Sequence, residues 1–317
     1  MIDGNQIAES KAIQRRTGRT FHFATRVLPQ RVRFPTYVLY AFFRLADEVV
    51  DDADRAPPKR QHEQLERLRA AALGEIETDH PVLSAFQEVR MEYDIADADV
   101  DEFVDAMASD ITKSRYATHA ELEEYMRGSS VAVGRMMTAI MRPENPERAL
   151  PHAAALGEAF QLTNFLRDVR EDVIERDRIY LPERALEKHG MSDEQIEALS
   201  MSDGFARLMD EQLRRTEERY RDGVAGIEYL PEDCQFAVLL AAVFYVDHHR
   251  LIREYEFDVL TNEPELGTTR KLQLFAETRW HWFRTKDPET VFYRVNSIPM
   301  LARDREDVNV PETTLTR

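Results

Sequence analysis

The chain has one cysteine, six lysines and no apolar run long enough to cross a bilayer, and each shortage excludes something. Cys234 alone rules out an intrachain disulfide and fits a reducing cytosol. Set in the run CQFAVLLAAVFYV, it reads as a small core residue rather than a nucleophile. That run, 234–246, is too short to span a membrane, and the first residues carry no signal-type apolar stretch. A cytoplasmic protein is expected, at most peripheral to a membrane. Lysine is confined to Lys11, Lys59, Lys113, Lys188, Lys271 and Lys286, every other basic residue being arginine. The 59 acidic residues outnumber 42 basic ones and leave a formal charge of −17, a surface that repels nucleic acid and anionic headgroups. Acid-rich, lysine-poor composition points to a halophilic surface whose self-repulsion a salty cytoplasm screens. A coding bias toward arginine is the alternative, and a salt titration of folding separates the two.

Strand signals are scarce and helical periodicity dominates. Apolar residues recur at spacings of three and four in 33–50, 61–76, 98–111, 120–141, 149–175, 203–222 and 232–258. Breakers separate these stretches: Pro57-Pro58, Pro81, Pro143 to Pro146, Pro182, Gly190, Pro231 and Pro264 to Gly267. Ser192 with Gln195, and Thr118 with Glu121, have the spacing of capping boxes that open helices. No linker divides the halves, so an all-α single domain is expected over residues 1–302. Residues 303–317, polar and poor in apolar side chains, read as a loose tail.

Two Asp-x-x-x-Asp pairs, Asp47/Asp51 and Asp168/Asp172, lie within this helical pattern. Four residues of helix rise about 6 Å, so each pair shares one face, where like charges repel unless a cation neutralises them. The first belongs to a stripe of Tyr40, Arg44, Asp47, Glu48 and Asp51; the second to Gln161, Asn164, Asp168, Glu171 and Asp172. Dense apolar flanks imply that both stripes are buried and must be satisfied internally. Mg²⁺ suits the task, since it takes oxygen ligands and keeps positions open for substrate phosphates, with Arg44 and Arg167 beside it to meet those phosphates. A salt-bridge seam, with those arginines neutralising aspartates across a bundle, is the competing reading. A di-iron carboxylate bundle is disfavoured because the nine histidines show no Glu-x-x-His spacing on helices. A diphosphate so held becomes a good leaving group, and an allylic prenyl fragment can carry the positive charge left behind. Phe21, Phe23, Tyr40, Phe42, Phe43, Phe160, Phe165 and Tyr245 are candidate walls of a dry pocket around that cation.

Two segments carry a specific likeness: ALGEAFQLTNFLRDVREDVIERDRIYLP at 155–182 and YAFFRLADEVVDD at 40–52, supported by RYATHAELEEY at 115–125 and the helix around Tyr245. In these the chain resembles the squalene/phytoene synthase family of head-to-head prenyl synthases, over most of residues 10 to 275. The Asp-Glu-x-x-Asp form at Asp47 is similar to the phytoene-forming branch. The resemblance implies an isoprenoid synthase-type helical bundle around a central apolar cavity. It implies Mg²⁺ or Mn²⁺ on Asp47, Asp51, Asn164, Asp168 and Asp172, with Arg44, Arg167, Gln161, Tyr40 and Tyr245 at the diphosphates. It implies the joining of two geranylgeranyl diphosphates through a cyclopropyl intermediate, without NADPH; a C30 reaction on farnesyl diphosphate is the alternative. Two departures stand out. The family's N-terminal histidine-and-serine phosphate loop reads Thr17-Gly18-Arg19-Thr20, so Thr17, Arg19 and Thr20 are the expected contacts there. The family's Ala-Gly pair in the channel helix becomes Ser130-Val131 within YMRGSSVAVG. The acidic surface gives no basic amphipathic helix for a bilayer, though the segment with Trp280, Trp282 and Phe283 is a candidate for transient peripheral membrane contact. The sequence sets no oligomeric state.

Overall fold

The computed structural model describes residues 23–51, 56–296 and 298. The candidate residues Thr17, Arg19, Thr20 and Phe21, and the tail 303–317, lie outside them. Among the described residues every regular element is a helix. The periodic stretches appear as α1 (Gln30–Asp51), α2 (Pro58–Leu73), α4 (Asp97–Ser109), α5 (His119–Met126) and α6 (Val133–Met141), then α7 (Pro146–Arg167), α8 (Val169–Arg176), α11 (Asp203–Ala225) and α12 (Glu232–Glu254). Between them stand α3 (Pro81–Glu92), α9 (Glu183–Lys188) and α10 (Asp193–Glu197), and after them α13 (Thr268–Thr285) and α14 (Pro288–Val295).

Local chemistry explains several boundaries. Pro35 lies inside α1 and cannot donate to the carbonyl of Arg31; Tyr93 Oη donates to it instead at 3.0 Å, tying α1 to the end of α3. Ser192 and Gln195 form the expected reciprocal cap of α10. Thr118 caps α5 by accepting from Glu121 N at 3.2 Å, but the Glu121 carboxylate accepts from Ala117 N at 2.7 Å.

Two stretches read as single helices are interrupted. The 120–141 stretch contains a π-helical segment, Arg127–Ala132, between α5 and α6. It lies against α4 so closely that a Cβ on Gly128 would fall 2.0 Å from the Glu102 carbonyl oxygen. The 149–175 stretch breaks at Asp168, whose φ of −102° and ψ of 17° bend the chain between α7 and α8. The core is packed in three regions: α1–α6 around Phe42, Phe86 and Phe103; α7, α11, α12 and the last two helices around Phe244 and Phe292; and α8–α11 around Phe205 and Leu208. The long α7 lies against α6, α11, α12 and the π segment, and so forms a wall of the space between the first two regions.

Candidate functional site

α1 delivers its polar stripe because its other face is buried. Val38, Leu39, Phe42, Ala46 and Val50 pack inward, leaving Tyr40, Phe43, Arg44, Asp47 and Asp51 on a cavity wall. The last turn is held by Gln61 Nε2, which donates to the Val49 carbonyl at 2.8 Å. α7 and α8 supply the facing wall with Phe160, Gln161, Asn164, Phe165, Arg167, Asp168, Glu171, Asp172 and Arg176, and α12 adds Tyr245 and His248. One cavity of about 1030 Å³ is lined by all of these, at the upper end of the range for small-molecule sites. Both aspartate pairs therefore face a common space. Its polar end passes into a region lined by Val133, Gly134, Met137, Met141, Ala153, Leu156 and Ala237.

Not every expected residue is there. Glu48 is exposed and outside the lining, where it pairs with Arg44 at 3.5 Å. Phe42 is core, stacked on Phe86 with centroids 4.0 Å apart, and Phe23 packs on Phe244 and Phe275. Phe43, Phe160, Phe165, Tyr40 and Tyr245 are on the wall.

The charges are arranged differently from a seam built on Arg44 and Arg167. Among the described residues Arg44 forms ion pairs only with Glu48 and, at 3.8 Å, Asp47, both on its own helix. Arg167 grips its neighbour Asp168 with two bonds, Nε to Oδ1 at 2.6 Å and Nη2 to Oδ2 at 2.5 Å. The residues that cross the cavity are Arg176 and Arg178. Arg176 donates to Asp51 at 3.2 Å, to Asp172 at 3.0 Å and to Glu171 at 2.9 Å; Arg178, 4% exposed, donates to Asp51 at 3.0 Å and to the Asp110 carbonyl at 3.0 Å.

Sequence reasoning passed over these arginines, although Arg176 stands four residues after Asp172 on one helix face. Arg178 depends on tertiary structure. After α8 the chain turns at Asp177, with φ of 54°, and Ile179 N, Glu183 N and Arg184 N bond to the carbonyls of Ser114, Tyr116 and Ala117. The RIYLP segment is thus laid along residues 114–117, which brings Tyr180 into a stack with Phe165 at 3.9 Å and beside Tyr116 and Tyr125. Asp110, also on the wall, accepts from Tyr125 Oη at 2.7 Å, while its Oδ1 is buried without a hydrogen-bond partner.

Electrostatics follow from this enclosure. Burial, reinforced by the charge of Asp51, pushes Asp47 up to about 7 despite Arg44. Burial pushes Asp172 up to about 7 against the pull of Arg176, with Asp168 and Glu171 adding repulsion. Asp110 rises to about 6, chiefly by burial. Burial and the nearby Arg167 push His248 down to about 3, so this wall residue is a neutral imidazole. Among the described residues no three His, Cys, Asp or Glu side chains converge into a closed metal cage. Mg²⁺ does not require one: it is held by one or two carboxylates, with waters and substrate phosphates completing the shell. Carboxylates crowded beside an open cavity, whose mutual repulsion a cation would relieve, fit that chemistry.

Comparison with known proteins gives the same family. Residues 14–274 match the family model described as squalene/phytoene synthase. A phytoene synthase of Rhodobacter capsulatus is 31% identical over 270 residues, covering 83% of this chain and 78% of that one. One from Cereibacter sphaeroides is 32% identical, covering 82% and 75%. Among solved structures, a dehydrosqualene synthase in complex with ligand superposes with a TM-score of 0.79 at 26% identity, covering 88% of this chain and 97% of that one. A squalene synthase from Alicyclobacillus acidocaldarius, at 22% identity and a TM-score of 0.69, shares the fold and covers 80% and 95%. The fold is the all-α isoprenoid synthase fold.

Proposed function

The chain belongs to the squalene/phytoene synthase family, and on that premise we propose that it is a prenyltransferase of carotenoid biosynthesis joining two geranylgeranyl diphosphates head to head into phytoene. The observation that carries this reading is the meeting of Asp47/Asp51 and Asp168/Asp172 on one cavity that also runs past Phe43, Phe160, Phe165, Val133, Met137, Met141, Leu156 and Ala237. The proposed ligands of Mg²⁺, or Mn²⁺ in its place, are Asp47, Asp51, Asn164, Asp168 and Asp172. Bound there, the ion would draw charge from the leaving diphosphate oxygens.

The chain's own residues do the rest. Arg44, whose ion pairs of 3.5 and 3.8 Å are loose, is available to a phosphate oxygen, as is Arg167 from beside Asp168. Gln161, Tyr40 and Tyr245 orient the diphosphate from the adjoining walls. Once a diphosphate departs, the allylic cation lies among Phe43, Phe160, Phe165 and Tyr245, whose ring faces stabilise positive charge and exclude water. The double bond of the second substrate attacks that cation, and loss of a proton from the resulting tertiary cation closes the ring of the cyclopropyl diphosphate. Loss of the second diphosphate, rearrangement and loss of a proton complete the reaction without a reductant. The Asp110–Tyr125 pair on the same wall is suited to accept that proton, because a carboxyl raised to about 6 exchanges protons near neutrality.

Incubation with geranylgeranyl diphosphate and Mg²⁺, followed by lipid analysis, tests the proposal: a C40 hydrocarbon is expected. A C30 product from farnesyl diphosphate, with or without NADPH, and none from the longer substrate would assign the chain to squalene or dehydrosqualene synthesis instead.

A further inference from the structure

The outer face of α13 is apolar where a soluble helix is normally polar. Leu272, Ala276, Trp280 and Phe283, spaced four, four and three, form one exposed stripe, with Leu272 55%, Trp280 55% and Phe283 75% exposed. The opposite face is ordinary core: Leu274, Thr278 and Trp282 are buried. Arg279 and Arg284 flank the stripe on its two sides, both exposed, and Lys286 follows the helix. The Arg284 guanidinium lies over the Trp280 ring at 4.1 Å. Residues 268–285 hold four basic side chains against the single acid Glu277. Arg270 pairs with Asp247 and Lys271 lines the cavity, which leaves Arg279 and Arg284 to the outer face, so α13 is the basic amphipathic helix that the sequence pattern did not disclose. The nearby acids are engaged: Glu277 accepts from Gln273, and Asp287 caps α14 through Glu289 N and the Thr290 hydroxyl. The helix starts at the cavity, where Gly267, Thr268 and Lys271 are among the lining residues.

We propose that this face of α13 docks on an anionic lipid surface, with Trp280, Phe283 and Leu272 inserted among the headgroups and Arg279, Arg284 and Lys286 on lipid phosphates. Aromatic rings beside cations whose stems snorkel suit that interface. The net acidity of the protein does not oppose it. Charges more than about 8 Å away are screened at physiological salt, while the flanking cations touch the headgroups directly. The docking surface stands apart from the reaction; its use, the exchange of apolar substrate and product at the cavity mouth, rests on the proposed synthesis.

Trp280 is the reporter, since the only other tryptophan is buried. With the full chain, phosphatidylglycerol vesicles are expected to shift its emission to the blue and shield it from acrylamide, and phosphatidylcholine vesicles to do so far more weakly. Phe283→Ser should weaken vesicle binding about tenfold. Arg279→Glu with Arg284→Glu should abolish the preference for phosphatidylglycerol. These exposed substitutions should leave the melting temperature and turnover of detergent-dispersed substrate unchanged. Absence of any shift with phosphatidylglycerol, unaltered binding by Phe283→Ser, or a homodimer that Phe283→Ser dissociates would overturn the proposal. Vesicle binding by a chain that forms no C40 product would sink the reaction and leave the surface standing.

Discussion

Asp51 takes two arginines, Arg176 and Arg178, from the opposite wall. Those contacts hold the two acidic pairs together, so removing a partner should be felt on both walls. Arg176→Gln is expected to lower kcat/KM about 10- to 100-fold, the scale of losing a group that orients proposed metal ligands, and steady-state kinetics checks it. The raised carboxyls give a pH signature. Asp47 and Asp172 sit near 7 when folded and near 3.8 when unfolded, so the metal-free folded state holds extra protons between those values. Its stability should therefore fall as pH rises from about 4 to about 7, and the fall should shrink in Asp47→Asn with Asp172→Asn. A divalent ion must displace the same protons, so Mg²⁺ affinity should climb from about pH 6 to about pH 8 and then level. Melting curves in chelator and calorimetric titrations measure the two effects; flat profiles would contradict both.

At the scale of elements, close approach of backbones shapes the cavity. A Cβ on Gly157 of α7 would fall 2.7 Å from the Ser130 carbonyl of the π segment, so this crossing admits only glycine. Gly157→Ala is expected to cost about 2–3 kcal/mol, read from denaturant melts. Ala153→Phe, which projects into the same channel wall, should suppress the C40 product while sparing shorter substrates, a shift that product chromatography reads directly. The helices with sustained periodicity were legible from sequence, as were the residues of both stripes that line the cavity. α3 was not, because Pro81 reads as a break when it is also a good first residue of a helix. Pro288 opens α14 in the same way. The π segment was hidden because its apolar residues continue a helical pattern, and the bend at Asp168 because no residue type announces it. Arg178, Tyr180 and Asp110 gather only when RIYLP docks on residues 114–117, a contact between distant stretches that spacing alone does not encode.

The whole molecule couples a strongly acidic exterior to a cavity that must attract polyanions. Excess surface carboxylates repel one another at low ionic strength, so the melting temperature should rise steadily with KCl, well beyond the concentration that screens an ordinary globule. A melting temperature indifferent to salt would point to coding bias as the origin of the composition. No helix among the described residues is long and apolar enough to cross a membrane. The proposed grip of both aspartate pairs on one diphosphate-bearing substrate acts through divalent ions inside the shared cavity. Anomalous diffraction from crystals grown with Mn²⁺ and an unreactive thio-diphosphate analogue of geranylgeranyl diphosphate tests it most directly. Manganese peaks between Asp47/Asp51 and Asp168/Asp172, each touching the analogue's diphosphate, are the predicted result. Peaks on the outer surface only, or an analogue seated away from both pairs, would contradict it.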